Sequence, residues 1–158
     1  MDRLSNRAWL LTWRIKALDR IRKTIKNKKE NKYLHSDASN LVEIFIWEKD
    51  TEQAWQEAVN GACSEDLWIR LADLRSKDYP DDSISAYKRF IKEHIAEMRD
   101  HAYTIPLRLI RKISNILTSL GRKNEFREYI ASLMVVHKRK KNLMEQLNQI
   151  MNNKLLTV

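Results

Sequence analysis

A chain of 158 residues with only two glycines and two prolines has few means of making tight turns, which excludes most β-rich folds and points to long helices in one all-α domain spanning residues 1–158. Its single cysteine, Cys63, excludes an internal disulfide and any multi-cysteine zinc site, and it suits a reducing cytoplasm. The net charge of +9 divides unevenly, +8 over residues 1–33, −7 over 34–100 and +8 over 101–158, so the acidic middle can hold the basic ends or leave them to an acidic partner.

In chain order, Leu4, Ala8, Leu11, Ile15, Leu18, Ile21 and Ile25 form an apolar stripe that predicts a helix over roughly 3–28. Trp9 and Trp13 lie one turn apart on its flank, either covering the core or forming an exposed docking patch. The helix runs out in the basic stretch KNKKENK, residues 26–32, read as a solvated end and linker. Ser36 or Asp37 suits the cap of a second helix through LVEIFIW, residues 41–47. That run also suits a buried strand, but no second strand signal exists to pair with it, so helix is assigned. Asp50 caps a third helix, with Gln53 in the capping-box position and Gly61 near its end.

The stretch Asp66–Ile91 reads as helix, turn, helix. Leu67, Trp68, Leu71, Ala72 and Leu74 share a face, and Ser64 is placed to cap it. Pro80 ends the first helix before Tyr79 and opens the second, where Asp81 and Asp82 suit the positive end of the helix dipole. Ile84, Tyr87, Ile91, Ile95 and Met98 make the next stripe. Two such helices joined by a short loop should pack antiparallel, with Trp68, Leu71, Ala72 and Tyr87 as structural anchors of the seam. Pro106 then opens a helix carrying Leu107, Ile110, Ile113, Leu117 and Leu120, and Gly121 stops it. Asn124 begins one long final helix with Phe126, Ile130, Leu133, Met134, Leu143, Leu147 and Ile150 on its apolar face, fraying after about residue 151.

The helices come in pairs, and Trp68 to Tyr103 is 35 residues, a spacing that suggests stacked antiparallel hairpins of tetratricopeptide type. The segments EQAWQEA (52–58), LWIRLADL (67–74), YPDDSISAYKRFI (79–91) and EFREYIASLMVVHKRKKNLMEQL (125–147) occur in this order. In them the chain resembles the C-terminal helical region of bacterial SWIM zinc-finger proteins over about residues 10–150, most specifically at residues 137–144. The resemblance implies an α-helical interaction region. The SWIM motif itself needs three cysteines and a histidine, so its zinc and DNA roles do not carry over to a chain with Cys63 alone. Met1 begins either a stand-alone protein or a split relative of a longer one.

No glycine-rich phosphate loop or nucleophile elbow is present, and no serine is placed beside a histidine, so no enzyme activity and no cofactor are expected. His94, Glu97 and His101 would share a face of a continuous helix, which reads as a solvated polar face rather than a metal site. No apolar run approaches the ~18 residues of a membrane span, and the N-terminus lacks a signal-peptide core, so a cytoplasmic protein with no membrane partner and no small-molecule substrate is expected. The basic block 137–141 interrupts the last apolar stripe. Either Lys140 lies along the fold or pairs with Asp73, Asp78 or Asp81, or the block is a phosphate-binding edge. The expected function is a non-catalytic protein–protein interaction module, with Trp9, Trp13, Lys138, Arg139 and Lys141 as the partner-binding candidates. The rivals are a nucleic-acid-binding accessory domain using the basic ends, and a purely structural C-terminal region.

Overall fold

The computed structural model describes residues 3–30, 38–61, 63–97 and 103–155. Among these residues every regular element is a helix: α1 (Arg3–Glu30), α2 (Ser39–Trp47), α3 (Thr51–Asn60), α4 (Glu65–Arg75), α5 (Pro80–Glu97), α6 (Thr104–Ser119), α7 (Lys123–Val136) and α8 (Lys141–Leu155). The chain forms two compact units, residues 1–71 and 72–158, with the boundary inside α4. No helix among the described residues is long and apolar enough to cross a membrane. The expected caps at Ser36 and Asp37, and Met98 of the fourth stripe, lie outside the described residues.

In the first unit α2 packs against α3. Residues 41–47 are helical, which settles the helix-or-strand ambiguity, and Leu41, Val42, Phe45 and Ile46 are all buried. The connection to α3 is three residues long. Asp50 N–H donates to the Phe45 carbonyl at 2.9 Å and Lys49 N–H to that of Ile46 at 3.1 Å, closing a Schellman turn with Lys49 left-handed at φ 64°. Asp50 then caps α3 by accepting the Gln53 N–H at 3.0 Å. Gly61 ends α3 with an extended φ of −121°, so its need for glycine is spatial: a Cβ there would stand 2.6 Å from the Ala38 Cβ. Ser64 accepts the Leu67 N–H at the start of α4. Trp68 is 7% exposed and meets Trp55 of α3 edge-on, with ring centroids 5.1 Å apart and planes at 85°.

In the second unit α5 packs along α6, α6 against α7, and α7 against α8. The long partner of α5 is therefore α6, while the last turn of α4 meets α5 through hydrogen bonds. Ser83 Oγ donates to the Ala72 carbonyl at 2.8 Å, Tyr87 donates its hydroxyl proton to Asp73, and buried Arg75 reaches Asp82 at 3.2 Å. Lys112 of α6 closes on the same Asp73 at 2.6 Å. Burial and the Asp73 carboxylate together push the Tyr87 phenol well above its ordinary pKa. The core proper is Tyr87, Ile91 and Ile95 of α5 with Leu109, Ile110, Ile113 and Leu117 of α6. Ile130, Leu143 and Leu147 extend it through α7 and α8. Gly121, at φ 70°, ends α6 in a second Schellman turn, with Arg122 N–H donating to Leu117 at 2.8 Å.

One expectation is corrected. The chain from 124 to 150 is not one helix: α7 stops at Val136, residues 137–139 form a turn, and α8 starts at Lys141. A run of His, Lys and Arg supplies no fully apolar side chain to continue the buried stripe, so the chain turns there and lets Leu143 and Leu147 return to the core. The start of the final segment shifts as well, since Arg122 rather than Asn124 occupies the cap position.

Two stability outcomes follow. Trp68→Ala should cost roughly 3–5 kcal/mol by chemical denaturation, as a large buried aromatic does. Of the three left-handed positions among the described residues, Gly121 and Lys49 should respond oppositely: Gly121→Ala should destabilise by about 1 kcal/mol. Lys49→Gly should leave stability level or raise it, because relief of the left-handed backbone offsets glycine's extra unfolded-state freedom.

Candidate interaction surfaces

Each unit carries one surface of interest. In the first, α1 is held by two arginine–glutamate pairs. Arg14 grips Glu48 with both carboxylate oxygens engaged, its Nε at 2.6 Å from Oε1, and its guanidinium lies 5.8 Å from the Phe45 ring centroid. Arg22 Nε donates to Glu57 at 2.8 Å. The Arg14 hydrogen bonds hold the Glu48 carboxyl below the usual carboxylate range against the opposing effect of burial. Both pairs are largely solvated, so each contributes little to stability. Their effect is placement: Leu18, between them on the helix, is 5% exposed.

Three other apolar side chains of α1 are not covered in this way. Leu11, Trp13 and Ile15 are 58%, 56% and 57% exposed. Lys16 Nζ stands 5.8 Å from the centre of the Trp13 ring. The side chain of Trp9 lies outside the described residues. Beside α1 runs an open groove of about 550 Å³, lined by Ile21 from α1 and by Asn40, Glu43, Ile44 and Trp47 from α2. Trp47 is 83% exposed. Sequence reasoning missed Trp47, although the signal was present. Once Leu41, Val42, Phe45 and Ile46 take the inner face of α2, the helical angle turns position 47 outward.

In the second unit the basic block forms the turn between α7 and α8. Lys140 is half-buried and donates to the Ile95 carbonyl in the last turn of α5, at 2.6 Å. It thus lies along the fold, and its partner is a backbone carbonyl at a helix C-terminus, where a cation is favoured. Two of the three acids offered to it by sequence are otherwise engaged: Asp73 takes Lys112 and Tyr87, and Asp81 takes Arg122 at 2.7 Å. Lys138, Arg139 and Lys141 are exposed, as are Val135 at 73% and Val136 at 71%. His137 is half-buried, and burial together with the nearby Lys140 charge lowers its pKa.

The structural anchors Trp68, Leu71, Ala72 and Tyr87 are all buried. His101 lies outside the described residues, and among the described residues no cluster of three or more His, Cys, Asp or Glu is arranged to hold a metal ion. No family model, curated protein or solved structure matches this chain.

The His137 environment has a pH consequence. Its folded-state pKa lies below the ordinary value of 6.5, so between the two values the unfolded chain binds more protons. The stability contributed by neutral His137 is full above the unfolded pKa and is lost as pH falls through the folded one. Denaturation midpoints of the wild type should therefore fall between pH 7.5 and pH 5 by more than those of His137→Gln; equal falls would count against this environment.

Proposed function

We propose that the chain is a non-catalytic protein–protein interaction module in which successive helical hairpins stack in the manner of tetratricopeptide repeats. On this reading it is akin to the helical region of SWIM zinc-finger proteins. The observation that carries the reading is aromatic exposure in the first unit: Trp47, 83% exposed, lines an open groove, and Trp13 of α1 is 56% exposed. Tryptophan is costly to leave in water and is enriched at the centres of protein interfaces. Leu11 and Ile15 leave further apolar area of α1 exposed. Among the described residues no constellation of nucleophile, base and oxyanion donors accompanies either surface, which favours binding over catalysis.

A second reading has its own observation. Lys140 anchors the α7–α8 turn to α5, and Lys138, Arg139 and Lys141 are left exposed around it. Three outward cations on a pinned turn suit phosphates, and a nucleic acid would be their partner. Against it, the turn has no aromatic side chain on which a base can stack.

Oligonucleotide binding separates the two. Binding through phosphates releases counterions and falls steeply with salt. The interaction-module reading expects only a weak, nonspecific background at physiological salt, little altered when Lys138, Arg139 and Lys141 are changed to Gln. Submicromolar binding that is lost in the triple variant, with helix content intact by circular dichroism, would assign the domain to nucleic acid instead.

A further inference from the structure

The stretch from Val135 to Lys141 closes α7, turns and opens α8. Five of its seven side chains are exposed: Val135 and Val136, at 73% and 71%, and the cations Lys138, Arg139 and Lys141. The other two, His137 and Lys140, are half-buried, and Lys140 pins the turn by donating to the Ile95 carbonyl at 2.6 Å. The exposed groups therefore sit on a fixed backbone and lose little freedom when they bind. Counted at 100° per residue from buried Ile130, Val135 and Val136 point about 140° and 120° away from it, to opposite sides. The nearest acids along the chain are Glu128, seven residues before Val135, and Glu145, four after Lys141. They stand roughly 10 Å and 6 Å along their helices, so the tip itself is cationic and apolar.

We propose that the α7–α8 turn docks on an anionic lipid bilayer, with Val135 and Val136 entering the headgroup region and Lys138, Arg139 and Lys141 on the lipid phosphates. The inference goes beyond the protein-interaction reading, which rests on the first unit. Two apolar side chains bordered by three cations match a surface that is anionic outside and apolar beneath. A nucleic acid would answer the cations, leave both valines in water and find no aromatic ring on which to stack. A partner of fixed shape meets one plane, whereas the valines diverge by about 100° and the cations continue around the turn. A fluid surface closes around such a spread. The expectation of no membrane partner rested on the lack of a spanning run, and a surface contact needs none.

Cosedimentation of the full chain with vesicles at physiological salt tests the proposal. Vesicles of phosphatidylcholine with about a third phosphatidylserine should retain the chain, and phosphatidylcholine alone should not. Added salt should release it. Changing Lys138, Arg139 and Lys141 to Gln should weaken binding by roughly 100-fold, since each cation near such a surface counts about fivefold. Val135→Ser with Val136→Ser should weaken it by roughly tenfold and leave the oligonucleotide background unchanged. Helix content should stay intact in both variants. Equal retention by the two vesicles overturns the proposal. So does no retention, which leaves the protein-interaction reading standing because that reading rests on Trp47. Binding that survives the triple change belongs to another basic segment and overturns it as well. Binding that falls with the cations but ignores the valines is phosphate attraction without docking, and it too overturns the proposal. Submicromolar oligonucleotide binding that ignores the valines assigns the turn to nucleic acid instead.

Discussion

A chain with two glycines and two prolines must end its helices by other means, and the loops of this protein follow from that constraint. Gly121 serves the one Schellman turn where glycine stands in the left-handed position. The equivalent turn after α2 places Lys49 there, at a backbone cost of roughly 1–2 kcal/mol, and pairs it with Asp50 as the next helix cap. The other glycine, Gly61, is spent on closeness, admitting Ala38 where any side chain would collide. Where neither glycine nor proline is available, between α7 and α8, the chain turns through charged residues and Lys140 ties the turn to α5.

The polar interactions position helices whose stability comes from elsewhere. A largely solvated ion pair such as Arg14–Glu48 contributes on the order of 0–1 kcal/mol. A fully buried side chain such as Phe45 or Tyr87 contributes roughly 1.5–3 kcal/mol through apolar burial. The ion pairs are directional, however, and apolar burial is not. Asp73 shows the difference: it draws the hydroxyl of buried Tyr87 and the ammonium of Lys112 to one point. The register of α4's last turn against α5 and α6 is thereby defined, where sliding apolar faces would allow several.

Helix positions were legible in the sequence wherever period and cap agreed. The stripe of α6, the Asp50 cap, Pro80 at the first turn of α5 and the αL glycine at 121 are read directly from residue type and spacing. What was not legible depended on which helix meets which. Periodicity marked Trp68 as inward-facing but could not name Trp55 as its neighbour. It placed Lys140 against the fold but offered carboxylates, because sequence spacing says nothing about a carbonyl 45 residues away. The break at 137–140 was missed because apolar residues on both sides keep helical spacing across it, and only the competition between burying Leu143 and burying its basic neighbours decides it. Trp47 was hidden inside a run that looked uniformly apolar, although its angle on α2 differs from that of Phe45 and Ile46.

The two candidate surfaces obey different physics, and this bears on how they can work together. On the proposed reading, the cations of the α7–α8 turn would act over the distance of the ionic atmosphere, about 8 Å at physiological salt, and would speed encounter more than hold a partner. The exposed tryptophans would act only on contact, through desolvation, and would determine how long a partner stays. With a charge of +8 at each end of the sequence and −7 between them, the like-charged ends of two copies repel while each middle attracts the other's ends. Long-range charge alone therefore favours offset approaches, and any tight contact must come from short-range complementarity.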